Sequence, residues 1–296
     1  MSAAGVTRRD DGLALRTLRV GVHPKALVIH LGTDVVVRTP ARPDHHEGNV
    51  VDLLAPPAAD EVAVRLEGVR RLMEPIGVRS LHLRYELPAG AAADAAEESR
   101  AAQFAAAGCR VTDLAVLALS PDELPSSAPQ PPADVTIERL VGPDGGVIDE
   151  RRWYAASVLD RYAHGDDVTA WRAWDDVWGA WDRERIAALA RLRRAEVWLA
   201  SRHGMPVASL TMVDDLDGLM VIDRIITHPA HRRRGIARAL LGAALTTLHG
   251  AASLDRITLT VAADAPIGAL GRAMGFTPVA DVRDWSRPGE DAPSAG

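Results

Sequence analysis

The sequence predicts an α/β (α+β) protein made of two halves that repeat one order of strands and helices. Three observations carry this reading. The second half alternates β-branched segments with helical periodicities in the order strand, two helices, three strands, helix, strand, helix, strand. The first half shows most of that order in a weaker form. Between them, Ser120 to Asp134 holds Pro121, Pro125, Pro129, Pro131 and Pro132 among serines and alanines, which reads as a semi-rigid linker that forms no packed element.

In the first half, strand patterns cover Ala26–His30, Asp34–Arg38 and Gly48–Leu54, the last ending at Pro56-Pro57, where proline stops ladder pairing. A helical stretch at Asp60–Met73, a strand at Ser80–Tyr85 and a helix at Glu97–Ala107 follow, closed by Gly108-Cys109. In the second half, strands are expected at 135–140, 196–201, 207–213, 219–227, 257–262 and 277–282, with hairpin signals at His203-Gly204 and Asp217-Gly218. Helices are expected at 149–162, 169–193, 234–248 and 266–274. Strand Leu219–Thr227 ends at His228-Pro229 as the earlier strand ends at Pro56-Pro57, and Gly275-Phe276 stands where the first half has Gly108-Cys109. From Pro57 to Gly108 is 51 positions and from Pro229 to Gly275 is 46, a near-equal spacing that supports a tandem repeat. An unrelated α/β domain in the first half is the alternative.

The chain has 296 residues, enough for two cores, and its 47% hydrophobic and 25% charged residues are ordinary for a folded domain. A net charge of −6 argues against a nucleic-acid partner, which needs a basic face. No apolar run approaches the roughly 20 residues of a membrane span, and Met1 to Asp10 lacks the apolar core of a signal peptide, so a cytoplasmic protein without a membrane partner is expected. Cys109 is the only cysteine, which excludes an internal disulfide and a cysteine zinc site, and its small neighbours suit a buried structural residue. His45, His46, His228 and His231 make no metal set, so no metal is expected.

The run Arg232-Arg233-Arg234-Gly235-Ile236-Ala237 joins a strand to a helix whose Ile236, Leu240, Leu241, Ala244, Leu245 and Leu248 form one apolar face. The first N–H groups of such a helix have no intrahelical partner and its dipole favours an anion, so a phosphate is expected to dock there, with Gly235 letting the backbone approach. The bland alternative is a solvated basic turn. No Gly-x-x-x-x-Gly-Lys-Ser/Thr and no Gly-x-Gly-x-x-Gly after a strand occurs, which excludes a P-loop and a dinucleotide fingerprint.

The segment from Ile225 to Ala237 resembles the acyl-CoA motif of the GNAT superfamily of N-acyltransferases: a hydrophobic strand, a His-Pro pair, then Arg-x-x-Gly-x-Ala at Arg232, Gly235 and Ala237. The strand Arg256 to Ala262 and the segment Asp264 to Phe276 are similar to the parts that follow in that family. The resemblance implies two GNAT-like domains in tandem, each a mixed, mostly antiparallel twisted sheet flanked by helices. The first, 1–120, would be degenerate, because between Pro57 and Val64 it has no Arg-x-x-Gly-x-Gly/Ala and carries Asp60 and Glu61 where phosphates would sit. The linker would be 121–133, the acetyltransferase domain 134–285, and 286–296 a disordered tail.

It also implies acetyl-CoA as acyl donor and an N-acetyltransferase acting by direct attack of a primary amine of a small molecule or peptide. Backbone N–H groups of Arg233, Arg234, Gly235, Ile236 and Ala237 would hold the pyrophosphate, with the Arg232 and Arg234 side chains as charge partners. Backbone groups of Ile225, Ile226 and Thr227 would bind pantetheine, one N–H polarising the thioester carbonyl. Asp223, placed with Val221, Ile225 and Thr227 by strand alternation, is the candidate base that takes the amine proton; a salt bridge with Arg224 or a surface charge is the bland reading. The family's frequent general-acid tyrosine is replaced by Gly271, and its asparagine by Asp264, so thiolate protonation has no assigned donor; Tyr154 and Tyr162 are nearest in chain order.

Trp171, Trp174, Trp178 and Trp181 share one helical face, which fits a core or a seam between domains better than an acceptor pocket. Were they to line one, Asp166, Asp167, Asp175 and Asp176 would favour a cationic amine. Asp214, Asp215 and Asp217 could serve likewise, although a solvated turn fits them better. The alternative functions are an acyl-CoA-binding module or sensor whose catalysis has decayed, and an interaction scaffold. As partners the sequence leaves a monomer or homodimer open.

Overall fold

The computed structural model describes residues 12–45, 47–91, 94–141, 150–159, 179–251, 253–262 and 265–288. Its chain divides into two compact units: one takes residues up to 117 with 260–268 and the segment from 278, the other 118–259 with 269–277.

In the first unit, helix α1 (Leu13–Val20) leads into β1 (Leu27–Leu31), β2 (Asp34–Arg38) and β3 (Val50–Leu53), then α2 (Val62–Met73), β4 (Leu81–Pro88), α3 (Ala95–Ala106) and β5 (Arg110–Leu119). In the second half the described elements are β6 (Val135–Val141), α4 (Glu150–Ser157), α5 (Ala180–Arg191), β7 (Ala195–Arg202), β8 (Met205–Asp214), β9 (Leu219–Thr227), α6 (Ile236–Thr246), β10 (Arg256–Ala262), α7 (Pro266–Ala273) and β11 (Thr277–Arg287). From α1 to β5 the order is helix, three strands, helix, strand, helix, strand, and from α5 to β11 it is the same. The repeat expected from the sequence is present.

The first unit's sheet runs β1-β2-β3-β4-β11-β5 and the second's β10-β9-β8-β7-β6. All the registered pairs in both are antiparallel except β3 with β4 and β9 with β10, which gives the mixed, mostly antiparallel sheets expected.

Two features were not legible in the sequence. Helix α1 escapes a periodicity reading because Arg16 and Arg19 are buried alongside Ala14, Leu15 and Val20. And β11, last in the chain, pairs with β4 from Ala280↔Pro88 to Arg287↔Leu81. Trp285 explains why it stays. Its ring stacks on Phe104 at 4.5 Å, and its Nε1 donates to the Tyr85 hydroxyl at 3.1 Å, which in turn donates to Glu97 at 3.0 Å. Arg283, two residues earlier, donates to the same Glu97 carboxylate at 3.2 Å. Burial pushes the Tyr85 phenol up to about 12, so the hydroxyl keeps the proton that this chain of bonds uses.

The core of this unit gathers Val36, Val51, Leu53, Leu66, Val69, Met73, Leu83 and Phe104 around those aromatic rings. Cys109 is buried beside it, and burial pushes its thiol up, as suits a structural residue.

The Pro-rich segment holds only a short 3-10 turn, at Pro121–Glu123, yet it is packed. Pro129 lies against Gly242 of α6 where a side chain would otherwise project, and His249 Nε2 lies 2.7 Å from the Pro125 carbonyl. Its prolines thus cap one face of α6 with little backbone entropy to lose.

Trp285→Ala should remove about 3–5 kcal/mol of stability, the range for truncating a buried large aromatic side chain. Equilibrium urea denaturation measures it; a loss below about 1 kcal/mol would mean that Trp285 does not anchor β11.

Candidate functional site

The site is built on β9 and on the turn that leads to α6. Residues Leu219 to Ile222 lie in parallel register with Arg256 to Leu259 of β10, and the ladder stops there. On its other edge β9 stays paired with β8 as far as Ala208↔Thr227. Ile225, Ile226 and Thr227 therefore keep one edge without a ladder partner. In the first unit the equivalent ladder does not stop early: β3 pairs with β4 from Val51↔Leu83 to Leu53↔Tyr85, its last residue.

At the point of departure β9 carries a bulge. Met212 faces Ile222 and Thr211 faces Arg224, so Asp223 is the extra residue. The bulge breaks the alternation on which the sequence reading placed Asp223. Asp223 and Arg224 instead reach one turn of α5. Arg185 donates to both oxygens of Asp223, through Nη2 at 2.9 Å and Nη1 at 3.3 Å. Asp182 accepts from Arg185 at 2.8 Å and pairs with Arg224 at 3.0 Å. The salt bridge weighed as the bland reading of Asp223 is thus present, with Arg185 and not Arg224 as its partner.

Burial alone would raise the Asp182 carboxyl. The guanidiniums of Arg185 and Arg224 outweigh it and hold the group well below the usual carboxylate range. Sequence reasoning missed Arg185 and Asp182, and gave Arg224 the partner Asp223 where the structure gives it Asp182. The only local trace is the helical i,i+3 spacing of Asp182 and Arg185, and the contact with Asp223 spans 38 positions.

Beyond Thr227 a 3-10 turn, Pro229–His231, starts with His228, whose ring nitrogen accepts from the Ala230 N–H at 3.2 Å. Arg232 folds back so that its Nε donates to the Thr227 carbonyl at 3.1 Å, fastening the turn to the end of β9. Arg233 and Gly235 both take positive φ, +62° and +77°. A left-handed arginine is strained, and such strain is characteristic of functional turns. At Gly235 an added Cβ would meet no protein atom within 4 Å, so the space above it is open.

Gly235 is the N-cap of α6 and has no side chain to bond the helix's first N–H groups. Among the described residues, the N–H groups of Arg233, Arg234, Gly235, Ile236 and Ala237 have no protein acceptor. The first intrahelical bond is Ala239 N–H to the Gly235 carbonyl, at 2.9 Å. Burial, then the nearby His228 and the guanidiniums of Arg202 and Arg234, push the His231 imidazole down. The arginine part of that effect marks a positive field, which favours an anion.

A strand that leaves its partner, a strained turn and an uncapped helix are what the sequence motif requires. The Acetyltransferase (GNAT) family model matches residues 166–276. This half carries a GNAT domain. No curated protein matches the chain. Among solved structures, one similar chain is a GCN5-related N-acetyltransferase from Kribbella flavida: TM-score 0.58, 19% identity, with 97% of each chain covered. A tandem GNAT protein from the clavulanic acid biosynthesis pathway aligns with TM-score 0.56 at 17% identity over 94% of this chain and 89% of that one. A functionally unknown conserved protein from Staphylococcus epidermidis aligns with TM-score 0.66 at 14% identity over 89% and 94%. At these identities the likeness is one of fold, and it extends over most of the chain, both halves included.

Beside β9 lies a small, open cleft with room inside for little more than a water molecule. Trp153, Ile186 and Val197 give it apolar walls, while Ser209, Thr211 and Arg224 give it polar ones. Tyr154, half exposed on α4, lies under Arg183, whose guanidinium is 5.4 Å from the ring centroid. Gly271 of the GNAT domain supplies no side-chain donor; its carbonyl closes α7 by accepting from Met274 and Phe276. Trp171, Trp174, Trp178, Asp166, Asp167, Asp175, Asp176, Tyr162, Asp264 and His46 lie outside the described residues. Among those described, no group of His, Cys, Asp and Glu could hold a metal ion, and no helix is long and apolar enough to cross a membrane.

Asp182→Asn should cost about 3 kcal/mol near neutral pH, because it leaves two largely buried guanidiniums short of charge. The Asp182 carboxyl is depressed in the folded state, so its contribution is complete above the ~4 of an unfolded aspartate and is lost as pH falls further. Stabilities of both proteins measured from pH 7 to pH 2 should draw together only below about pH 4; a difference that stays constant there would remove Asp182 from the acid sensitivity.

Proposed function

We propose that this protein transfers an acetyl group from acetyl-CoA to a primary amine of a small molecule or peptide by direct attack. The observation that carries the reading is the set of open N–H groups from Arg233 to Ala237 at the head of α6, inside a GNAT domain. They fit a pyrophosphate: successive donors, a helix dipole and an open space at Gly235. Arg234 would add charge from the exposed side, while Arg232 acts first by fastening the turn.

Ile225, Ile226 and Thr227 would offer the free edge of β9 to the amide groups of pantetheine, and an N–H on that edge would polarise the thioester carbonyl. The amine nitrogen then bonds the carbonyl carbon, the C–S bond breaks, CoA leaves as thiolate, and the amine's extra proton passes to solvent. The cleft lined by Trp153, Ser209 and Thr211 is the proposed acceptor site, and its hydroxyls would support a water chain for that proton.

Asp223 belongs to this site as the carboxylate at the bulge. To serve as the base it would have to release a two-bond ion pair with Arg185, at a cost of about 3–5 kcal/mol. That cost favours the water route.

A second reading, an acyl-CoA-binding module or sensor, is favoured by the missing general acid at Gly271. CoA release measured with acetyl-CoA and a broad amine panel decides between them. Turnover with at least one amine, abolished in Gly235→Asp while the fold is kept, is expected. Tight binding with no turnover across the panel would move the assignment to the binding module.

A further inference from the structure

The pair formed by Arg185 and Asp223 has a counterpart in the first unit. Arg19, on the helix that precedes the β1–β2 hairpin, pairs with Asp52 of β3 at 2.5 Å, both side chains fully buried. Arg185, on the helix that precedes the β7–β8 hairpin, pairs with Asp223 of β9. In the repeated order of elements the two pairs join the same helix to the same strand. Between β3 and α2 the first half has no Arg-x-x-Gly-x-Gly/Ala, its β3–β4 ladder runs to the end of the strand, and Asp52 is sealed between Arg19 and Arg84. A pair that persists in both halves ties the helix to the strand whether or not a proton is transferred, and in the second half the strand position it ties is the bulge.

We infer that Arg185 is a positioning residue for acyl-CoA binding: through Asp223 it clamps the bulge at which β9 parts from β10. The inference rests on the acyltransferase reading and changes the role of Asp223 within it.

A bulge leaves one residue outside the ladder and bends its strand, so something other than the ladder must hold it. Here a planar guanidinium takes both oxygens of that residue, which fixes direction as well as distance. Asp182 ties Arg185 and Arg224 together, so two consecutive residues of β9 are tethered to one turn of α5. The bulge therefore resists sliding. A slide of one residue would exchange which N–H and C=O groups of Ile225, Ile226 and Thr227 face β8 and which face the free edge. Those are the groups proposed to bind pantetheine.

Acetyl-CoA affinity by calorimetry, kcat and its pH profile, measured for the wild type, Asp223→Asn, Arg185→Gln and the double variant, tests the clamp. Each single variant should raise the Kd for acetyl-CoA at least tenfold, the double variant should be no worse than the weaker-binding single, and the pH profile should keep its shape. Asp223→Asn binding normally but losing turnover and the acidic limb of the profile would make Asp223 the base and overturn the clamp. An unchanged Kd in Arg185→Gln would overturn it as well. Should that variant not fold, Arg185→Lys keeps the charge and loses the fork; a severalfold weaker Kd is expected, and a wild-type Kd would be contrary. Wild-type protein that binds no acetyl-CoA would instead sink the acyltransferase reading, and the clamp's role with it.

Discussion

The backbone N–H groups from Arg233 to Ala237, open at the head of α6, are the constraint on which the rest of the second half depends. A helix that starts without a capping side chain costs stability unless something else satisfies it. Several features hold this costly end in place. Arg232 fastens the turn to β9, Arg233 accepts a left-handed backbone, Pro129 packs on Gly242 behind the helix, and the buried face from Ile236 to Leu245 anchors it. The strain and the missing partners lie where a phosphate would repay both.

The two halves show what the site adds to the fold. Both have the helix, the three strands and the buried Arg–Asp pair. Among the described residues only the second has a β-ladder that ends early beside a bulge and a left-handed glycine at the head of the following helix. In the first half, Asp60 and Glu61 stand in the corresponding turn before α2, and the Glu61 carboxylate accepts from the Ala58 N–H at 3.2 Å. A carboxylate there satisfies a donor that a phosphate would otherwise use and repels the phosphate as well. On the proposed reading, what sets the first half apart at this turn is a local difference of charge, with the core around Tyr85 and Trp285 intact.

Much of the fold was legible because its signals are local. Strands bounded by His203-Gly204, Asp217-Gly218 and His228-Pro229 fall within a few residues of their expected limits. The loop was legible because glycine, arginine and the following apolar face are contiguous. What escaped reading is non-local or contrary to pattern. Arg16 and Arg19 hide α1 by sitting on its buried side, and the pairing of β11 with β4 joins segments about 200 positions apart, as does the bond from Trp285 to Tyr85. Asp223 was found by type and place, but its alternation failed at a bulge, and its partner Arg185 lies on another element.

The central claim is that one half of a duplicated fold holds the acyl donor. Calorimetric titration with acetyl-CoA tests it most directly, because it reads stoichiometry along with affinity. The account predicts one site per chain. Two sites would contradict the assignment of the first half, and none would mean that the open N–H groups of α6 serve some other end.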